Sequence, residues 1–175
     1  MLAEFVHEAA PDDTQWKIAT YENPVDERQW HATATTTVPV EITRVLLDSL
    51  ASTDAAQIAA GSKVSEATIA EATRPLSEAD WEHTVDGRWI RWQVPGDHPV
   101  GVQSDAFAAG QRPGSAIPAW AVWGGNAIHQ PTWALELSMH VPISLLQDIV
   151  FELAEGQGIS TIRPAVSGEP DTAHD

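Results

Sequence analysis

Two stretches of the chain change hydrophobic period at a proline. From residue 30 to 37 the positions alternate, with Trp30, Ala32, Ala34 and Thr36 on one side and His31, Thr33, Thr35 and Thr37 on the other. From residue 133 to 140, Trp133, Leu135, Leu137 and Met139 oppose Ala134, Glu136, Ser138 and His140. A period of two is that of a strand with one buried face. Beyond Val38-Pro39 and Val141-Pro142 the apolar positions recur at three and four. They are Ile42, Val45, Leu46 and Leu50 in the first stretch and Leu145, Ile149 and Leu153 in the second, with Leu146 and Val150 widening the stripe. That spacing predicts an amphipathic helix, and Pro39 and Pro142 suit its first position, where a missing N–H costs nothing.

At a constant offset the two stretches read as one unit used twice. Trp30 meets Trp133, Val38-Pro39 meets Val141-Pro142, and Leu50-Ala51 meets Leu153-Ala154. Internal repetition of this kind sets the architecture before any motif does. Further strands are predicted over residues 5–9 and 16–21 before the first unit, and over 81–84, 89–94, 100–104 and 120–123 before the second. Asn23-Pro24, Asp86-Gly87, Pro95-Gly96-Asp97 and Gly124-Gly125-Asn126 supply the turns, Asp86-Gly87 being a hairpin signal. Residues 108–118, rich in Gly, Pro and Ser, predict a long loop.

Between the units, residues 53–80 are rich in Ala and Glu, with Ile58, Val64, Ile69 and Leu76 as large apolar groups. Ser65 caps a short helix there, which Pro75 ends after Arg74. The expected fold is α+β: two pseudo-symmetric repeats of antiparallel strands followed by an amphipathic helix, with the helices packed on one sheet face. The boundaries are a first, abbreviated repeat at 1–52, a helical connector at 53–80, a second repeat at 81–155 and a tail at 156–175 of disorder-prone composition, one compact unit overall.

Composition narrows the function. Among 175 residues, 9 Lys and Arg stand against 25 Asp and Glu, a net charge of −16, and 8 Trp outnumber 3 Phe and 1 Tyr. The charge disfavours nucleic acid and anionic membrane as partners, unless positive charge is gathered on one face. The chain has no Cys, which excludes disulfides, thiolate metal sites and thiol nucleophiles. It shows neither a basic segment followed by an apolar run at its start nor a stretch near the roughly 18 apolar residues of a spanning helix, so a cytoplasmic protein is expected.

No phosphate-binding glycine loop, zinc-hydrolase His-Glu pair on a helix or nucleophile elbow occurs. His31, His83, His129 and His140 meet only if brought in from different strands, and no metal, cofactor or catalytic residue is expected. The carboxylates read as a solvating surface.

The tryptophans divide by strand phase. Trp30 and Trp133 point inward as core anchors, with Pro39 and Pro142 marking the helix starts. In residues 89–94, Ile90, Trp92 and Val94 form the apolar side and leave Trp89, Arg91 and Gln93 on the other, while Trp120 and Val122 leave Ala121 and Trp123 facing away. An outer sheet face carrying Trp89, Arg91 and Trp123, joined by Arg88 and Lys17, is the candidate binding surface. The alternative is that a further layer, a homodimer partner or the 108–118 loop covers it.

The recurring Trp, strand, x-Pro helix and terminal Leu-Ala resembles the SPDY-type domain of streptomycetes and related actinobacteria, domain of unknown function 317. The likeness includes Trp81 after Pro75-Leu76, Asp86-Gly87-Arg88, Val94-Pro95-Gly96-Asp97, residues 120–122 and residues 133–154, with Ala10-Pro11-Asp12 in place of the family's Ser-Pro-Asp. Val38 and Val141 stand where the family has Ser or Thr before the helix proline. The resemblance implies an actinobacterial, cytoplasmic, non-enzymatic module and assigns no activity. The expected function is binding or scaffolding of a protein through the outer face. The alternative is single-stranded nucleic-acid binding on the same face, by analogy with PUR-like and Whirly-like folds.

Overall fold

The computed structural model describes residues 2–6, 15–21, 25, 27–52, 65–95, 100–108, 115, 117–125 and 127–155. Eight strands form a single antiparallel sheet: β1 (Leu2–Val6), β2 (Gln15–Tyr21), β3 (Arg28–Thr35), β4 (Glu82–Asp86), β5 (Trp89–Gln93), β6 (Val100–Asp105), β7 (Trp120–Gly124) and β8 (Trp133–Leu137). Three helices complete the described fold: α1 (Val40–Ser52), α2 (Glu66–Glu78) and α3 (Ile143–Ala154). The strand order is β1-β2-β3-β8-β7-β6-β5-β4. Two meanders therefore meet at the centre, where β3 and β8 pair through Ala32–Leu137, Thr33–Glu136 and Ala34–Leu135.

Register carries the strand alternation across the sheet. Trp92, Val102, Val122, Leu135 and Ala34 are cross-strand partners in one row, and all lie in the core. Helix residues Ile42, Leu46, Ile69, Leu76, Leu146 and Ile149 close the same cluster, so the three helices share one face of the sheet. α3 packs between α1 and α2. Trp30 and Trp133 are buried in this layer, as their phase required.

The helix starts differ from expectation by one position. Pro142 is the N-cap of α3 (φ −56°, ψ 130°), and α1 begins at Val40, after Pro39. The carbonyls of Pro39 and Pro142 accept from Thr43 N (3.0 Å) and Leu146 N (3.2 Å), the first helical bonds. Pro142 thus uses the extended backbone that precedes a helix, and no side chain caps α3.

Residues 65–80 also depart from the expected connector. Ser65 caps α2, its hydroxyl accepting from Thr68 N at 3.2 Å, but the helix runs through Pro75 to Glu78. Ile69, Ala72, Thr73, Pro75 and Leu76 are buried, which makes α2 part of the core layer. It stops at Asp80, in the left-handed region at φ 57°. Asp80 N donates to Ser77 O (3.3 Å) and Trp81 N to Leu76 O (3.0 Å), the bond pattern of a Schellman ending. Trp81 is committed to that ending, so β4 starts at Glu82 rather than at residue 81.

β1 covers 2–6 rather than 5–9, set by its pairing of Phe5 with Trp16. The hairpin between β4 and β5 turns at Gly87-Arg88, with Gly87 at φ 59°. The expected tail at 156–175, most of the 108–118 loop and the connector at 53–64 lie outside the described residues.

Candidate binding site on the open sheet face

The face opposite the helices is built from the other half of each strand. Register places Thr84, Arg91, Gln103, Ala121, Glu136, Thr33 and Lys17 in one row across seven strands. Asp86, Trp89 and Asp105 align on one side of this row, and Gln93, Gly101, Trp123 and Ala134 on the other. On this surface lies a cavity of about 210 Å³, lined among others by Trp89, Gln103, Trp123, Ile128, Pro131 and Glu136.

Its walls come from different places. Trp89 stands at the start of β5, where the Arg88 guanidinium packs 4.9 Å from its ring centroid. Arg88 is held there by Asp105, donating through Nε to Oδ1 at 3.0 Å and through Nη2 to Oδ2. Asp105 is fully buried and also accepts from Phe107 N at 3.0 Å. The paired carboxylate pushes the Arg88 pKa up, so its charge is fixed.

The opposite wall is the β7–β8 connection carrying Ile128 and Pro131. Thr132 closes it, donating from N (2.7 Å) and Oγ1 (2.9 Å) to Gly124 O. From β3 side, Thr37 Oγ1 donates to Thr132 O at 2.7 Å, and Thr35 Oγ1 accepts from Ala134 N at 3.1 Å. Thr35 at the end of β3 and Thr37 in the turn after it thus anchor the wall.

Trp123 lies on the outer side of β7, as its phase indicates, but it is buried and not exposed. It occupies the space beside its cross-strand partner Gly101, where a Cβ would overlap the indole. The expected exposed Trp-Arg cluster is corrected accordingly. Trp89 and Trp123 share a cavity, while Arg88 is engaged with Asp105 and Arg91 donates through Nε to Gln103 Oε1 at 2.6 Å. Lys17 is exposed on the same face, two strands beyond Glu136, and does not line the cavity. Gln103 and Glu136 line the cavity and Asp105 holds Arg88 beside it, although the sequence pattern does not single them out. Alternation in β6 and β8 could have placed them there, but their proximity to Trp89 needs the strand order.

The histidines lie apart. His83 stacks on Trp92 (centroids 5.3 Å, interplanar angle 24°), on the helix side of the sheet. His129 is exposed in the β7–β8 connection, and His140 is half-buried with Nε2 unpartnered. His31 is buried with Nδ1 unpartnered, and burial, reinforced by Arg28, lowers its pKa to about 4. Among the described residues no group of three or more His, Asp and Glu is arranged to hold a metal. No helix among them is long and apolar enough to cross a membrane.

A second cavity of about 100 Å³ lies on the helix side, between β2, β3 and α1. Its lining, which includes Trp16, Ile18, Leu46 and Leu47, is almost wholly apolar.

The architecture is thus an antiparallel sheet with helices on one face and a tryptophan-walled cavity on the other. The SPDY family model, described as a domain of unknown function (DUF317), matches residues 2–56 and 96–159, about two thirds of the chain. The chain belongs to that family and carries two copies of its domain, the first truncated. No curated protein and no solved structure matches it. Each matched segment holds three strands and one helix, β1–β2–β3–α1 and β6–β7–β8–α3. The intervening α2 and β4–β5 hairpin, which supplies Trp89, lies outside both.

Proposed function

We propose that this chain is a non-catalytic binding module that engages another protein through the open face of its sheet. The observation that carries the reading is that Trp89 and Trp123, from strands separated by β6, line one cavity on the face that the three helices leave uncovered. Tryptophan in a pocket ringed by near-neutral contacts is the usual anchor of a protein interface. Charge supports a protein over a nucleic acid: Arg88 is neutralised by Asp105, Arg91 is bonded to Gln103, and the cavity is bordered by Glu136. A phosphate backbone would meet few uncommitted cations there. The family's actinobacterial cytoplasm is the expected setting.

The test is quantitative affinity capture from such a cytoplasm with the wild-type chain, Trp89→Ala and a helix-side control, Phe151→Ala, each checked for fold by circular dichroism. The reading expects a protein retained by wild type and control and lost with Trp89→Ala. Equal recovery by all three overturns it. Salt-sensitive binding of single-stranded oligonucleotides, lost with Trp89→Ala, would replace it with the nucleic-acid reading.

A further inference from the structure

We infer that the Trp89–Trp123 cavity receives a cationic side chain, a lysine or arginine of the partner; this rests on the protein-binding reading above. Among the described lining residues Glu136 is the one ionisable group, and it sits with three tryptophans (Trp89, Trp120 and Trp123), two prolines and three alanines. An aromatic wall with one carboxylate attracts a cation twice, through the ring quadrupole and through the charge. An anion meets repulsion from both. The carboxylate has acceptor capacity to spare, because Thr33 Oγ1 reaches Oε2 at a long 3.3 Å and an ionised carboxylate offers about four acceptor sites.

Trp89 already binds a cation within this chain. The Arg88 guanidinium lies 4.9 Å from its centroid, and Arg88 is not part of the cavity lining. Its charge is balanced by Asp105, so it does not repel a second cation on the cavity side. The volume fits a side chain better than a free ligand: about 210 Å³ is below the roughly 300–1,000 Å³ of small-molecule pockets. The net charge of −16 acts in the same direction, steering basic partners inward and opposing a second copy of this chain.

The experiment titrates the full chain with N-acetyl-lysine methylamide and N-acetyl-arginine methylamide, and with the neutral N-acetyl-norleucine methylamide. Binding is read from the indole N–H resonances of Trp89 and Trp123, assigned by single substitution. The cationic probes are expected to shift both indoles saturably, with affinity falling about fivefold or more in Glu136→Gln and weakening with salt. Equal binding of the norleucine probe, or unchanged affinity in Glu136→Gln, overturns the inference. Capture of the partner separates the two readings. Loss with Trp89→Ala but not with Glu136→Gln leaves the protein-binding surface standing and removes the cation. Saturable lysine binding with capture indifferent to Trp89→Ala keeps the cation pocket and removes it from the interface. Self-association abolished by Glu136→Gln, measured by sedimentation, overturns a foreign partner in favour of a second copy.

Discussion

Gln147 on α3 donates through Nε2 to the backbone carbonyl of Glu71 on α2, at 3.1 Å. Glu71 is four residues before Pro75, so this is the carbonyl that the proline, having no N–H, leaves without its helical donor. A side chain from the neighbouring helix completes the interrupted ladder. It thereby ties the inserted segment to the second copy of the domain.

Gln147→Ala should destabilise the chain by about 0.5–1.5 kcal/mol, the net worth of one hydrogen bond. In a Pro75→Ala background the restored N–H at position 75 can serve Glu71 O, so the same substitution should cost less. Urea unfolding of the four chains measures the coupling as a double-mutant cycle. A coupling of zero would mean that Gln147 does not stand in for the missing donor.

The continuation of α2 past Pro75 illustrates where sequence reasoning ended. Proline predicts a stop from local rules, and here the compensation sits 72 residues away in sequence, on another helix. The features set by local period were legible: the inward phase of Trp30 and Trp133, the stripes of α1 and α3, the hairpin at Gly87, and the outward phase of Trp89 and Trp123. What period could not supply is strand adjacency. The burial of Trp123 depends on a glycine in the neighbouring strand, and the pairing of Arg88 depends on a carboxylate 17 residues on. Both removed residues from the exposed cluster that alternation alone suggests: Trp123 becomes a wall of the cavity that replaces it, and Arg88 stays outside that cavity.

Gly101→Ala tests the seating of Trp123. The new Cβ would overlap the indole, and overpacking at such a site costs roughly 1–3 kcal/mol. The expected outcome is a lower urea midpoint with a red-shifted tryptophan emission as Trp123 is displaced. An unchanged spectrum and midpoint would show that the close approach is not maintained in solution.

Arg88→Ala removes the partner of a fully buried carboxylate and the cation over Trp89. The surface pair Arg74–Glu78, at 3.6 Å with both side chains about two-thirds exposed, is the internal comparison. Arg88→Ala should lower the urea midpoint clearly more than Arg74→Ala does, because Asp105 is left in the interior without its charge partner. Restoration of the midpoint on adding Asp105→Asn to Arg88→Ala would confirm that the unpaired charge is the cause.

His31 gives the fold a pH dependence whose sign follows from its environment. Burial comes first and the nearby Arg28 second, and together they lower the folded pKa from 6.5 to about 4. Between these values the unfolded chain binds a proton at this residue that the folded chain does not, so acid favours unfolding. The contribution is complete above pH 6.5, declines as pH falls toward 4, and changes no further below that. Carboxylates titrate over part of the same range, so the wild-type curve alone does not isolate it. The difference in urea stability between wild type and His31→Gln, followed from pH 8 to pH 3.5, does. Relative to the variant, wild type should lose stability between pH 6.5 and 4. A difference that stays flat across the window would place the imidazole in contact with water, against its burial on the outer side of β3.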